Sequence, residues 1–199
     1  MATLYDLKPA FQRLLRPGVA RLARAGVTAN QVTLFAAAIS VGLGAILCAM
    51  PDRRGLFLLL PLLLFIRMAL NAVDGMLARE HGQASKLGLY LNELSDLVSD
   101  AALALPFLFV TPFAPWGVLL FIAVAWLAEV AGMLGTAAGV GRSYAGPFGK
   151  SDRAAALGAL GLLVGLTSTL PGWLAIVFPV LTALALLTLV NRIRLGARS

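Results

Sequence analysis

Asn71, Asp74, Asn92 and Asp96 are polar or charged residues set among apolar neighbours, at spacings that share a helical face. A charge inside a membrane-spanning helix costs a few kcal/mol on insertion scales, so each such residue is a functional candidate by default. Steps of four and three keep Arg67, Asn71 and Asp74 on one side of a helix. Gly88, Asn92, Asp96 and Asp100, each four apart, drift by only about 40° per step and form a second stripe. Two adjacent helices of this kind would bring carboxylate and amide oxygens together. That donor set suits a hard divalent cation such as Mg²⁺ or Mn²⁺, which commonly binds together with phosphates. Gly75 and Gly88 remove side chains where a bulky group would approach the backbone. The competing interpretation is that these residues only hydrogen-bond helix to helix, as polar residues in bundles do.

The elements that must position these residues are apolar. The chain has 199 residues, 60% hydrophobic and 13% charged, with mean hydropathy +0.89, well outside the balance of an ordinary soluble domain. A span of about 30 Å takes some 20 residues, so the length allows about six. Hydrophobic segments fall near 31–50, 56–78, 87–110, 116–140, 154–170 and 173–191, punctuated by Pro51, Gly55, Pro112, Pro115, Pro147, Pro171 and Gly172. Ahead of them Leu4, Leu7, Phe11, Leu14, Leu15, Val19 and Leu22 recur at helical spacing among Lys8, Arg13, Arg16, Arg21 and Arg24. This reads as an amphipathic interfacial helix, bent near Pro17 and Gly18, rather than a cleaved signal peptide. The expected fold is all-α and integral to the membrane: an amphipathic segment over 1–27, then one six-helix transmembrane domain over 28–199.

The net charge of +7 would point to nucleic acid in a soluble protein; in a membrane protein it is a topology signal. With the N-terminus in the cytoplasm, thirteen of the sixteen basic residues fall inside, Arg53 and Arg54 fall outside, and Arg67 lies within the second segment. Both termini are therefore expected on the cytoplasmic side of the inner membrane, with no nucleic-acid partner. A lone Cys48 excludes an internal disulfide, and no Cys/His cluster offers a zinc site.

The run Asn71-Ala-Val-Asp74-Gly75-Met-Leu-Ala78-Arg79, eight residues, then Gly88-x-x-x-Asn92-x-x-x-Asp96 closely resembles the signature of the CDP-alcohol phosphotransferases, D-x-x-D-G-x-x-A-R followed by G-x-x-x-D-x-x-x-D. Thr28-Ala-Asn30-Gln-Val-Thr33 and the six-span length are also similar to that family. Two positions depart from it: Asn71 and Asn92 replace the first and third aspartates, removing two formal negative charges while keeping neutral oxygen donors. Glu93 or Asp100 are candidate compensations, although Glu93 is turned about 100° from Asn92 and Asp100 lies one turn deeper.

The resemblance implies a divalent-metal-dependent membrane transferase of phospholipid biosynthesis. Such an enzyme moves a phosphatidyl group from a CDP-activated lipid, such as CDP-diacylglycerol, to an alcohol or alcohol-phosphate acceptor and releases CMP. It implies Asn71, Asp74, Asn92 and Asp96 as Mg²⁺ or Mn²⁺ ligands, Asp96 as general base, Gly75, Ala78, Arg79 and Gly88 around the nucleotide, and a homodimer. The competing class is a non-catalytic CDP-lipid or nucleotide-binding, or regulatory, membrane protein with a weakened metal site. Transport is disfavoured, because the polar residues gather at one expected face rather than forming a path across.

Outside the signature, the loop from Gly141 to Arg153 holds glycines that permit tight turns, and Arg142, Lys150 and Arg153 near a helix start. Cations there suit an acceptor phosphate or the donor diphosphate, or else serve as positive-inside anchors near anionic lipid. Arg67 and Glu129, the other charges within segments, are expected to pair with each other or with Asp100. His81 is expected to be solvated.

Overall fold

The computed structural model describes residues 4–198, with side chains from residue 10 onward. Its α-helices are α1 (Leu4–Arg24), α2 (Ala29–Ala49), α3 (Leu59–Glu80), α4 (Lys86–Ala104), α5 (Pro115–Ala137), α6 (Lys150–Leu166) and α7 (Val177–Arg198). Single tight helical turns at Arg54–Leu58 and Gly172–Ile176 lead into α3 and α7, and one at Leu105–Phe109 follows α4. The expected apolar segments thus correspond to α2 through α7. Among the described residues four stretches are long and apolar enough to cross a membrane: Ala29–Ala49, Arg54–Glu80, Pro115–Ala137 and Gly172–Arg198. Only 22% to 44% of the most apolar part of each is buried within the protein, so most of that surface needs an apolar surrounding. The α4 and α6 helices fall outside this set for a physical reason. The first carries Lys86, Glu93, Asp96 and Asp100, and the second is 17 residues long and opens on Lys150, Asp152 and Arg153.

The chain divides into two compact units, one of Met1–Ser40 with Leu63–Ser99, the other of Val41–Leu62 with Asp100–Ser199. In the first, α1 runs as one helix across Pro17. Leu4, Leu7 and Lys8 of the expected amphipathic pattern lie outside the described side chains. Farther along, Val19 is buried with Ala29, Val32, Val73, Met76 and Leu77, while Leu14 stays exposed. An exposed ion pair joins Arg16 to Glu80 at 2.9 Å. The turn into α2 is fixed by a reciprocal cap: the Thr28 N–H donates to Gln31 Oε1 at 2.9 Å and the Gln31 N–H donates to Thr28 Oγ1 at 3.2 Å. Gln83 adds a second clamp, accepting from the Ala29 N–H at 2.7 Å and donating to Val27 O at 3.3 Å. The start of α2 is thereby tied to the loop between α3 and α4.

The second unit is built on aromatic packing. Phe107 meets Phe57, Phe113 and Phe178 at centroid separations of 5.5 Å each, and Phe178 meets Phe121 at 5.6 Å. Such tilted and edge-on pairs add to simple burial. Glycines let helices approach: a Cβ on Gly161 would lie 3.0 Å from Phe57 O and 2.9 Å from Leu60 Cβ, and a Cβ on Gly44 would collide with the Ala102 carbonyl. Gly42, two residues earlier, has nothing within 4 Å of its Cβ position. Forcing extra methyls into packed backbone costs about 1–3 kcal/mol. Gly44→Val is therefore expected to lower the melting temperature of detergent-purified protein by several degrees, and Gly42→Val to leave it unchanged. Equal melting of the two would show that close approach at Gly44 is not limiting.

Candidate functional site

The first unit gathers the signature residues from α2, α3 and α4. The cap at Thr28 sets the first turn of α2, and one turn later the Thr33 hydroxyl lies 2.8 Å from Asp74 Oδ2 and 3.1 Å from Ala29 O. Both Thr33 and Asp74 are buried. A hydroxyl donor orients a carboxylate without neutralising it. The next residue, Gly75, carries the guanidinium of Arg79 over it, and a Cβ there would lie 3.1 Å from both Arg79 Nη1 and Nη2. At the start of α4, Ser85 Oγ accepts the Gly88 N–H at 2.9 Å. A Cβ on Gly88 would come within 2.8 Å of Asn30 Oδ1 and 3.0 Å of Ser85 Oγ. Gly88 thus allows α4 to start against the first turn of α2.

Asp96 is held by α3. Its Oδ1 accepts from Arg67 Nη2 at 3.0 Å and from Asn71 Nδ2 at 3.4 Å, and Arg67 Nη2 also lies 3.2 Å from the Asp96 carbonyl oxygen. Arg67 is only 4% exposed. The two polar stripes thus meet through Asn71 and Asp96. Arg67 pairs with Asp96, whereas the sequence suggested Glu129 or Asp100. Asn92 and Glu93 are half-buried, Ala78 is half-buried, and His81 is exposed as expected. Among the described residues no three of His, Cys, Asp and Glu gather as a metal cluster, and two of the four signature positions hold asparagine.

In the second unit, Glu129 on α5 is the shared acceptor of three arginines. Arg153 Nη2 donates to Oε1 at 2.9 Å, Arg192 Nη1 lies 3.2 Å from the same oxygen, and Arg142 Nη2 lies 3.4 Å from Oε2. Arg153 Nη2 also reaches Asp100 Oδ2 at 3.2 Å, so Asp100 is engaged by an arginine. Arg142 sits over the Tyr144 ring, 5.2 Å from its centroid. Arg192 is pinned further by Ala128 O at 2.6 Å and Ala145 O at 3.2 Å. Arg153 is 3% exposed, and its Nε and Nη1 are buried without a hydrogen-bond partner among the described residues.

The loop before α6 contains the expected turns. Gly139, Gly141 and Gly146 have φ of +80°, +79° and +123°, values that favour glycine. At Gly146 a side chain would also strike the Thr188 backbone. The α6 helix then opens at Lys150, and Asp152 Oδ2 accepts the Gly149 N–H at 2.8 Å. Three residues of these sites had no role assigned from sequence: Thr33 and Asn30 beside Asp74 and Gly88, and Arg192 on Glu129. Thr33 and Asn30 lie three apart at the start of α2. Arg192 continues the buried face of Thr182, Ala185 and Thr188 on α7, a spacing visible in the sequence.

The family profile of CDP-alcohol phosphatidyltransferase matches residues 26–190. Among individual proteins, the chain is 48% identical over 194 residues to the inner membrane protein YnbA of Escherichia coli, covering 96% of this chain and 95% of that one. It is 31% identical over 103 residues to the phosphatidylinositol phosphate synthase of Corynebacterium glutamicum, spanning 52% of this chain and 45% of that one. The fold is similar to that of Mycobacterium tuberculosis phosphatidylinositol phosphate synthase. Its crystal structure with CDP-DAG bound gives a TM-score of 0.77 at 21% identity over 92% of this chain and 94% of that one. Its complex with manganese and citrate gives 0.76 over 91% and 88%. With its apolar helices and a family profile matched over residues 26–190, this chain is an integral membrane protein and belongs to the CDP-alcohol phosphatidyltransferase family.

Proposed function

We propose that this protein transfers the phosphatidyl group of a CDP-activated lipid, with CDP-diacylglycerol as the donor class, to the hydroxyl of a small alcohol or alcohol phosphate, releasing CMP. The observation that carries this reading is the meeting of the two signature stripes, with Asp74 held by Thr33 and Asp96 held by Arg67 and Asn71. The solved relative whose structure holds CDP-DAG supports the donor class, and the one with manganese supports a divalent ion. The donor set here suits one hard ion that keeps waters and takes phosphate oxygens: two carboxylates, Asp74 and Asp96, with amide oxygens of Asn71 and Asn92. Bound there, Mg²⁺ or Mn²⁺ would supply charge stabilisation at the transferred phosphate.

The chain's own residues do the rest. Asp96 takes the proton of the acceptor hydroxyl as its oxygen attacks the lipid-linked phosphorus; the bond from that phosphorus to the CMP oxygen breaks, and CMP leaves. Gly75, Ala78, Arg79 and Gly88 bind the cytidine diphosphate, with Gly75 giving the Arg79 guanidinium room to lie against α3. Arg142, Lys150 and Arg153 bind an anionic phosphate, and the two buried donors of Arg153 support that role. Both termini and the site face the cytoplasm, following the distribution of basic residues, and the protein works as a homodimer.

A second reading, binding of CDP-lipid without turnover, is favoured by Asn71 and Asn92 and is separated by experiment. Purified protein given CDP-diacylglycerol and a pooled acceptor extract is expected to release CMP only with Mg²⁺ or Mn²⁺, with mass spectrometry of the lipid product naming the acceptor. Asp74→Asn and Asp96→Asn are each expected to lower kcat by about 10²- to 10⁴-fold. No CMP release, under conditions in which a family member releases it, would remove the transferase reading. CMP binding without turnover, converted to turnover by Asn71→Asp with Asn92→Asp, would establish the binding reading. Lys150→Ala is expected to raise the acceptor KM, and an unchanged KM would remove Lys150 from the acceptor site.

A further inference from the structure

The charge on the first unit's site is already partly balanced by side chains. Asp74 and Asp96 supply two negative charges. Arg67, buried to 4% exposure, places its Nη2 at 3.0 Å from Asp96 Oδ1 and 3.2 Å from the carbonyl oxygen of the same residue. Asn71 donates its amide hydrogen to that same Oδ1 at 3.4 Å. A carboxylate oxygen has two lone-pair sites in its plane, and Oδ1 here meets two donors. Arg79 brings a second guanidinium beside Gly75, next to Asp74 in the chain.

We propose that Arg67 is a fixed cation of this site, occupying Asp96 Oδ1 so that the site takes one divalent ion and excludes a second. Resting on the transferase reading, the inference deepens it by assigning part of the site's positive charge to the protein itself. Three observations converge. The guanidinium is fixed by two contacts to one residue and by burial, so it does not swing away at low cost. Asn71 contributes a donor toward Asp96 where a carboxylate would contribute an acceptor. A second cation brought to Asp96 would stand beside the fixed positive charge of Arg67. Like charges held a few ångströms apart in a medium of reduced dielectric repel strongly, which is the means of exclusion.

The test counts ions. Detergent-purified full chain is titrated with Mn²⁺, alone and with CMP, and free Mn²⁺ is read by electron paramagnetic resonance. The wild type is expected to bind about one Mn²⁺ per chain; two, or none in the presence of CMP, would overturn the proposal. Asn71→Asp with Asn92→Asp is expected to remain at one tight ion while Arg67 is in place, and to gain a second when Arg67→Gln is added. A double variant that takes two ions, or a folded triple variant that stays at one, would also overturn it. Circular dichroism and melting temperature report folding. Should the triple variant not fold, Arg67→Lys added to the double variant takes its place, and two ions on the wild type or the double variant would still overturn the proposal. CMP release is measured in parallel: one ion without release in any variant would end the transferase reading and keep this one, and release with two ions bound would do the reverse.

Discussion

A charge that sits among apolar helices has to be met where it stands, because neither lipid nor a packed core will solvate it. Here the helix-borne acids are met mainly by arginine: Asp96 by Arg67, Asp100 by Arg153, and Glu129 by Arg142, Arg153 and Arg192, while Asp74 is met by the Thr33 hydroxyl. Removing one partner of such a buried pair leaves an uncompensated charge and costs about 3–5 kcal/mol. The constraint fixes rotation as well as depth. Once Arg67 must reach Asp96, the face that α3 turns toward α4 is set, and Asn71, one turn along, arrives at the same carboxylate oxygen. The signature spacing and the packing of α3 on α4 are two aspects of one requirement.

Much of this was legible in the sequence. Helical periodicity places Asn71 with Asp74, and Gly88 with Asn92 and Asp96, each on one face, and the Asn71–Asp96 contact joins those faces. The glycines before α6 have the positive φ that a tight turn demands. What was not legible is which partner each buried charge takes. A helical wheel gives the direction of Arg67 but not the residue across from it, and Glu129 in mid-helix gave no sign that Arg192 would fold back onto it from α7. Arg192 had been counted among the cytoplasmic basic residues, where its charge satisfies the positive-inside pattern. Its 3% exposure and its bonds to Ala128 and Ala145 carbonyls make it an interior strut as well. Hydropathy had a matching limit. With four charged residues on α4 and only 17 residues in α6, these are the two helices after α1 that length and composition alone do not mark as spans.

Small residues do the complementary work of bringing backbone to backbone. Gly88 admits Asn30 and Ser85, Gly44 admits the Ala102 carbonyl, and Gly161 and Gly165 admit Leu58 and Leu60. Close approach matters more in an apolar setting than in water. Helix association there gains nothing from expelling water and depends on van der Waals contact and interhelical hydrogen bonds. The reciprocal cap of Thr28 and Gln31, with Gln83 clamping Ala29 and Val27, supplies such bonds at the mouth of α2. These contacts hold the turn from which Thr33 reaches Asp74.

The two asparagines and Arg67 are best understood together. Exchanging aspartate for asparagine at one signature position removes a negative charge but leaves an oxygen, a change that alone would weaken a cation site without reorganising it. Asn71, however, uses its nitrogen toward Asp96, a contact a carboxylate could not make as a donor, and shares that oxygen with a buried guanidinium. An aspartate at position 71 would bring a second negative charge toward Asp96 and compete for Arg67. With asparagine there, Arg67 and Asp96 form a pair that Asn71 reinforces. The substitution and the arginine therefore constitute one coherent arrangement of charge, in which a protein cation takes up part of the field that a more acidic site would leave to metal.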